Sequence, residues 1–356
     1  MNLRNLSALV LVSRGRVIAD PVANAVIEWS GIVQRAIHGP ATPPSAGASE
    51  ILHTMVHLAV YDAVVAVDGG SRPFAARIAA RPGAEVRAAV ATAAYLTVRP
   101  CIAGADLTTL DQAYATYLAG LPTGDGVTEG VRVGQQAAAA MLALRANDAL
   151  PNMSQPADVN VGAIKPFTLE HAAVFRPDGP NALDSRTYAR DLAEARDMDV
   201  AASTLRSAEQ IDIAWFWAEN PYVHWNRNLM ALAQSKELSV RDIARLFAIV
   251  HTAASDAIIA GEYPSGQGSW STAVIASVAA FFGTLHVDWT LTTSKAAVPA
   301  LVKTERRYRN LLELLAEIGN ARVWGGLHRR HALRDGALIG GRVAAHVQWH
   351  HFQPTR

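Results

Sequence analysis

Apolar residues recur at three- and four-residue spacing along almost the whole 356-residue chain. This period places apolar side chains on one face of an α-helix, whereas a half-buried strand would alternate at every second residue. Alternating patterns are nearly absent, and alanine, the strongest helix former, is abundant. The sequence therefore predicts an all-α fold, with helices at about 22–38, 47–67, 84–98, 107–119, 126–146, 184–198, 205–218, 222–235, 239–260, 269–283, 300–318 and 335–349.

Charge, hydropathy and cysteine content exclude several classes of partner and site. The chain has 32 Lys and Arg against 31 Asp and Glu, a formal net charge of +1, so no nucleic-acid partner is expected. No apolar run reaches the roughly 20 residues of a spanning helix, so no membrane span is expected. The single cysteine, Cys101, rules out an intramolecular disulfide, and its place in an interhelical turn indicates an inert thiol.

Two segments bear on domain organisation. The first 19 residues contain a short apolar stretch from Leu6 to Val12, and Arg14 and Arg16 follow it, so residues 1–19 are expected to be a disordered start or a degenerate signal. A cytoplasmic location is favoured, and export stays possible. Residues 148–183 are rich in Pro, Asn, Asp and Gly and fit either an interdomain linker or a long surface loop. We prefer the loop, because the flanking helices carry apolar faces that need one another, and we expect one helical domain over residues 20–356.

Two short segments combine groups that bind oxyanions. In the first, Arg322 precedes His328 by six residues across a glycine pair, just before a helix. In the second, the hydroxyl of Ser265 and the backbone N–H of Gly266 stand at another helix start. Unpaired N–H groups at helix N-termini and the arginine fork both bind oxyanions, and histidine can act as nucleophile, ligand or proton carrier. Each segment alone is typical of an ordinary loop, whereas the two together are more specific.

These segments, in this order, are similar to two signature motifs of vanadium haloperoxidases and related acid phosphatases. The similarity extends over about residues 20–349 and includes the segments 53–64, 144–148, 165–167, 207–217, 224–226 and 244–248. The resemblance implies an all-α helical bundle of the vanadium chloroperoxidase and acid phosphatase type. It also implies a peroxidase that oxidises halide with hydrogen peroxide at a histidine-bound vanadate and passes the product to a small organic substrate. Members of the family are commonly oligomeric, so a homo-oligomer is possible.

The resemblance also assigns roles to individual residues. His328 matches the histidine that coordinates vanadium axially, and Asp335 is an acid that could orient it. Arg322, Ser265 and the backbone N–H of Gly266 match the groups that bind the equatorial oxygens. Gln267 stands where the family usually has a proton-handling histidine, and glutamine cannot exchange a proton near neutral pH.

The chain departs from the family at the first signature motif, which supplies a lysine and a second arginine. Residues 256–260 run directly into 261–264, so the segment that carries those two cations is interpreted as deleted. Two lost charge-assisted hydrogen bonds amount to roughly 3–6 kcal/mol, or about 10²–10⁴ in affinity, so vanadate binding is doubtful. The alternatives are phosphate-ester hydrolysis through His328, cofactor-free chemistry on a small molecule, or a non-catalytic paralogue.

Other polar residues have mainly structural interpretations. Cations near the C-terminal motif could replace the missing pair but fit solvated helix faces better; they are Lys295, Lys303, Arg306, Arg307, Arg329 and Arg330. His53 and His57 lie four residues apart on a helix and could bind a metal, but no third ligand is evident in the sequence. Packing or hydrogen bonding is therefore the favoured role of these two histidines.

Overall fold

Twelve α-helices make up most of the computed structural model, which describes residues 24–39, 43–148, 160–177, 179–199, 205–261 and 265–355. The helices are α1 (Asn24–His38), α2 (Ala46–Asp68), α3 (Val86–Val98), α4 (Gly104–Ala119), α5 (Asp125–Leu144), α6 (Arg186–Asp199), α7 (Ala208–Phe216), α8 (Pro221–Ser235), α9 (Val240–Ala260), α10 (Gly266–Phe282), α11 (Leu311–Trp324) and α12 (Arg330–His350). The two strands β1 (Trp289–Thr292) and β2 (Glu305–Tyr308) pair antiparallel. The predicted all-α class is confirmed; the prediction for residues 1–19 lies outside the described residues.

The predicted helix at 300–318 is wrong over its first half. Residues 305–308 instead form β2, in which Tyr308 pairs with Trp289 of β1. The carboxylate of Asp212 accepts hydrogen bonds from the backbone N–H groups of Val302 and Lys303, which holds the preceding residues in a non-helical path. α11 starts only after Asn310, whose side chain accepts a hydrogen bond from the N–H of Leu312 and caps the helix.

The centre of the molecule is built around α2 and α9, which pack against each other. One cluster of buried apolar side chains extends from Ala25 in α1 to Phe352 beyond α12. By length and composition alone, α2 and α9 pass the test for a membrane-spanning helix, although the sequence suggested no such run. Their apolar windows are 89% and 94% buried inside the protein, as is typical of core helices.

The loop predicted within 148–183 lies against this core where it is described. The backbone N–H groups of Phe167 and Thr168 donate to the buried carboxylate of Asp256 in α9, at 2.6 and 2.9 Å. Burial raises the pKa of Asp256, while the hydrogen bonds from Thr168 and Phe167 act in the opposite direction. The loop is thus attached to the helix that leads into the candidate site.

α10 and α12 run parallel and pack backbone to backbone. A Cβ atom on Gly336 would lie 2.7 Å from the carbonyl oxygen of Ser265, and one on Gly340 would lie 2.1 Å from that of Ser269. Only glycine allows two helices to approach so closely. This packing places the N-terminus of α10 beside the first turns of α12.

We expect Glu219→Gln to lower the free energy of unfolding by about 2–4 kcal/mol at pH 7, because it breaks a buried ion pair. Glu219 accepts hydrogen bonds from both Nη atoms of Arg227, at 2.8 and 2.5 Å, and lies 3.4 Å from Nδ1 of His224. Burial raises the pKa of Glu219, but the hydrogen bonds from Arg227 and His224 outweigh it and lower this pKa to about 2. A depressed carboxyl pKa stabilises the fold above the unfolded pKa near 4.5, and this contribution is lost as the pH falls toward 2.

Urea unfolding at pH 7 and pH 3 measures this effect. The difference in stability between wild type and Glu219→Gln should shrink at pH 3, while the exposed Glu170→Gln control should match wild type at both values. An equal difference at the two pH values would contradict the assigned ion pair.

Candidate functional site

A glycine turn fixes the backbone between Arg322 and His328. α11 ends at Trp324, and Gly326 follows in the left-handed conformation with φ of 69°. The N–H of Gly326 donates to the carbonyl of Val323 at 2.9 Å, and the N–H of Leu327 donates to that of Arg322 at 3.0 Å. These two bonds form a Schellman motif, which explains the second glycine of the pair. The N–H of His328 also donates to the carbonyl of Arg322, at 3.2 Å, so the two predicted site residues share one turn.

The guanidinium of Arg322 is a largely buried cation without a counter-charge in the described chain. Its Nη1 donates to the carbonyl oxygen of Trp217 at 3.4 Å, a long bond. Its Nε is fully buried and has no hydrogen-bond partner among the described residues, and no described carboxylate lies within ion-pair distance of it. Burial lowers the pKa of Arg322, yet a guanidinium stays protonated in proteins. A buried unpaired cation is costly, so this position suits a bound anion.

His328 is held in its neutral form. Burial, and then the nearby charge of Arg322, lower the pKa of His328 to about 4. At neutral pH the ring therefore carries a nitrogen lone pair that can coordinate a metal. Its Nδ1 is buried with no partner among the described residues. Asp335, considered as its orienting acid, instead accepts a hydrogen bond from Nε of Arg334 at 3.3 Å.

The second predicted segment forms the N-terminus of α10. Ser265 is 2% exposed and caps the helix, since its Oγ accepts a hydrogen bond from the N–H of Gly268 at 3.1 Å. That bond leaves the hydroxyl proton of Ser265 free to be donated. The N–H groups of Gly266 and Gln267 precede the first intrahelical bond, so helix geometry gives them no acceptor within α10. Hydroxyl, N–H groups and helix dipole all favour an anion at this end of α10.

Both predicted segments lie at the same end of the α10–α12 pair. Gly268 packs against the carbonyl oxygen of Leu333, with 3.1 Å between that oxygen and the position of a Cβ. From His328 to Arg330, the first residue of α12, the chain can extend by at most two Cα–Cα distances, and Leu333 lies three residues further along the helix. The Cα atoms of His328 and Leu333 are therefore at most about 12 Å apart. Ser265 and His328 are therefore not on opposite sides of the molecule.

Most cations considered as replacements for the missing pair form ion pairs elsewhere. Arg330 pairs with Glu194, Lys303 and Arg306 pair with Glu209, and Arg307 pairs with Asp288. Arg329 lies over the ring of Tyr188, 4.7 Å from its centroid, and Lys295 is exposed.

Arg206 is a cation near the site that sequence reasoning missed. Its Nη1 donates to the carbonyl oxygen of Trp324 at 2.8 Å, beside the turn that carries His328. The two residues are 118 positions apart, and no local spacing indicates the contact.

A separate cleft of about 400 Å³ opens beside the start of α12. Its lining includes Arg190, Asp191, Arg330, His331 and Arg334, but neither Arg322 nor His328. The carboxylate of Asp191 accepts hydrogen bonds from the backbone N–H and from Nδ1 of His331, at 3.0 and 3.1 Å, and so caps α12. This aspartate–histidine contact stabilises the start of α12, and neither residue was among the predicted site residues.

Cys101 offers no competing nucleophile. The thiol is half-buried in the turn between α3 and α4, and burial raises its pKa to about 11. A thiol with such a pKa stays protonated at neutral pH and is a poor nucleophile.

Comparison with known proteins gives a family match in the C-terminal part of the chain. Residues 251–355, which include the candidate site, match the family model described as the VCPO second helical-bundle domain. No curated protein matches the sequence.

Solved structures match over most of the chain. A bacterial vanadium-dependent iodoperoxidase is similar with a TM-score of 0.73 at 18% identity, over 96% of this chain and 98% of that one. The holo form of a bacterial vanadium-dependent chloroperoxidase gives 0.71 at 14% identity, over 88% and 94% of the two chains. The apo form gives 0.70 at 14% identity, over 85% and 93%. At these identities the similarity shows the fold and leaves the reaction to be tested.

Proposed function

We propose, from the fold that this chain shares with the vanadium haloperoxidase-like superfamily, that it holds vanadate between the Arg322–His328 turn and the N-terminus of α10 and oxidises halide with hydrogen peroxide. The observation that carries the proposal is the largely buried guanidinium of Arg322. Among the described residues its Nε has no hydrogen-bond partner and its charge has no counter-charge. A tetrahedral oxyanion satisfies both requirements with one ligand.

Each residue of the proposed site contributes one kind of contact. Arg322 donates from its guanidinium, Ser265 donates its hydroxyl proton, and the N–H groups of Gly266 and Gln267 donate from the helix start. The neutral imidazole of His328 supplies the nitrogen that would ligate the metal. When bound, vanadate supplies a Lewis acid that activates peroxide toward halide without changing its own oxidation state.

Two features predict that this site binds vanadate weakly. α9 ends at Ala260 and α10 begins at Gly266, and residues 261–265 between them include neither a lysine nor an arginine to match the family's pair. Within the described part of the chain, no carboxylate orients Nδ1 of His328, and loss of such a partner typically costs about 10–100-fold in metal affinity. Arg206 places a further guanidinium beside the turn, where its Nη1 donates to the carbonyl oxygen of Trp324.

Gln267 favours a second candidate, an oxyanion-binding protein without turnover. The side chain is half-buried at the start of α10 and cannot carry a proton to or from a bound ligand. Loss of a general acid or base typically lowers a rate by about 10²–10⁴. In this case the anion would bind while halide oxidation stayed near background.

The test combines vanadate titration by calorimetry with bromide- and iodide-dependent halogenation of an indicator dye at increasing orthovanadate. Saturable halogenation that requires vanadate and is lost in His328→Ala supports the haloperoxidase. Vanadate binding without halogenation supports the second candidate. Aryl-phosphate turnover that is lost in His328→Ala would identify a phosphatase instead. Flat calorimetry with both vanadate and phosphate would reject the oxyanion site.

A further inference from the structure

A fully buried cluster of three histidines lies apart from the oxyanion site. His53 and His57 of α2 are joined by His251 of α9, the third residue that the sequence did not reveal. They are 0%, 1% and 2% exposed, and one ring nitrogen of each lies within 4.8 Å of the other two. The proposed oxyanion site does not use any of them.

Hydrogen bonds around the cluster determine which nitrogens carry protons. Ser30 donates its only hydroxyl proton to Oδ1 of Asn226 at 3.0 Å. Its oxygen also contacts Nε2 of His53 at 3.1 Å and Nε2 of His57 at 3.2 Å. Because that proton is already used, both imidazoles must donate their Nε2–H to Ser30. Nδ1 of His57 is then a lone pair, and it has no partner among the described residues.

His251 presents a second lone pair by the same reasoning. Its Nδ1 lies 2.7 Å from Oε1 of Glu50 and donates to that carboxylate. In the neutral ring, Nε2 is then a bare acceptor, and it too is buried without a described partner. Two unpaired lone pairs cannot bond to each other, whereas a cation satisfies both. A histidine that donates one nitrogen to a carboxylate and offers the other is the common arrangement around bound zinc.

The buried carboxylate beside the cluster also favours a bound cation. Glu50 is 1% exposed, and within the described chain its carboxylate forms an ion-pair contact with His251 but with no lysine or arginine. A divalent cation would neutralise the buried carboxylate.

We infer that His53, His57 and His251 form a structural site for a divalent transition-metal cation, with zinc as the best-fitting ion. Three neutral imidazoles are donors that suit zinc, and the burial of all three closes the site to solvent. His57 and His251 are stacked at 4.6 Å with an interplanar angle of 6°. An imidazole binds metal in its own plane, so loading requires these rings to rotate. His53 must also release Tyr222, whose hydroxyl lies 2.9 Å from its Nδ1.

The ion would join four helices. The three histidines come from α2 and α9, Ser30 comes from α1, and Tyr222 and Asn226 come from α8. Binding to the folded state alone stabilises that state in proportion to the logarithm of metal concentration over Kd. The expected consequence is a higher melting temperature of the loaded protein.

The experiment is to unfold and refold the full chain with zinc sulfate, remove free metal with EDTA, and measure zinc by mass spectrometry. Wild type should retain about one equivalent per chain, and His57→Gln and His251→Gln should each retain less than about a tenth of that. His350→Gln is the control, because His350 is exposed beside His346 and would account for adventitious surface binding.

Two further measurements use the wild-type protein and so do not depend on whether a cluster variant folds. Wild type refolded with zinc should melt at a higher temperature than wild type refolded in EDTA, and cobalt loading should give the absorption bands of nitrogen-ligated Co²⁺. No retained metal and no melting shift in wild type would overturn the site. So would one equivalent that survives in His57→Gln and His251→Gln but is lost in His350→Gln.

Discussion

Arg322→Ala is expected to lower the affinity for orthovanadate by about 10²–10⁴-fold. The guanidinium would provide at least two charge-assisted hydrogen bonds to the oxyanion, each contributing about 1.5–3 kcal/mol. Arg322→Lys keeps the charge but loses the planar fork, so it should recover only part of the affinity. Isothermal calorimetry of orthovanadate binding, with inorganic phosphate as a second probe, measures the effect.

Arg329→Ala is the matched control for this prediction. It removes the same charge one residue from His328, but from a side chain that lies over the ring of Tyr188. Its affinity should stay within about threefold of wild type, because this guanidinium is engaged with Tyr188 and is assigned no contact with the oxyanion. Equal losses in Arg322→Ala and Arg329→Ala would mean that general positive potential, and not a defined pocket, attracts the anion.

Gly340→Ala is expected to destabilise the protein by about 3 kcal/mol or more. The added Cβ would lie 2.1 Å from the carbonyl oxygen of Ser269, a backbone atom that cannot move without shifting α10 against α12. Because Ser265 stands at the start of α10, that shift should also weaken oxyanion binding. Denaturant unfolding and vanadate calorimetry on the same sample measure the two effects.

The neighbouring glycine provides the control. A Cβ on Gly341 has no atom within 4 Å, so Gly341→Ala adds helix propensity without a clash and should stabilise the protein by about 0.5–1 kcal/mol. If Gly340→Ala were as stable as Gly341→Ala, the close contact between α10 and α12 would not exist in solution.

The helices were predictable because their signal is local. Apolar periodicity and caps such as Ser239, which accepts from the N–H of Asp242, lie within a few residues of the element that they define. The error at 300–318 has a distant cause, since Asp212 holds Val302 and Lys303 from about 90 positions away. Tertiary hydrogen bonds here override a plausible helical pattern.

The candidate sites show the same difference between local signals, which the sequence reveals, and distant contacts, which it does not. The turn from Arg322 to His328 could be predicted because its chemistry is contained in seven residues. Arg206 and His251 could not, because packing of separate helices brings them to their partners. A histidine pair at i and i+4 indicated one face of a metal site, but only the fold supplies the residue opposite it.

The most direct test is a crystal structure of the protein soaked with orthovanadate. We expect tetrahedral or five-coordinate density in contact with Arg322, His328 and the hydroxyl of Ser265, with the N-terminus of α10 directed at its oxygens. Vanadate found only in the arginine-lined cleft beside Asp191, or no vanadate at saturating concentration, would contradict the proposed pocket.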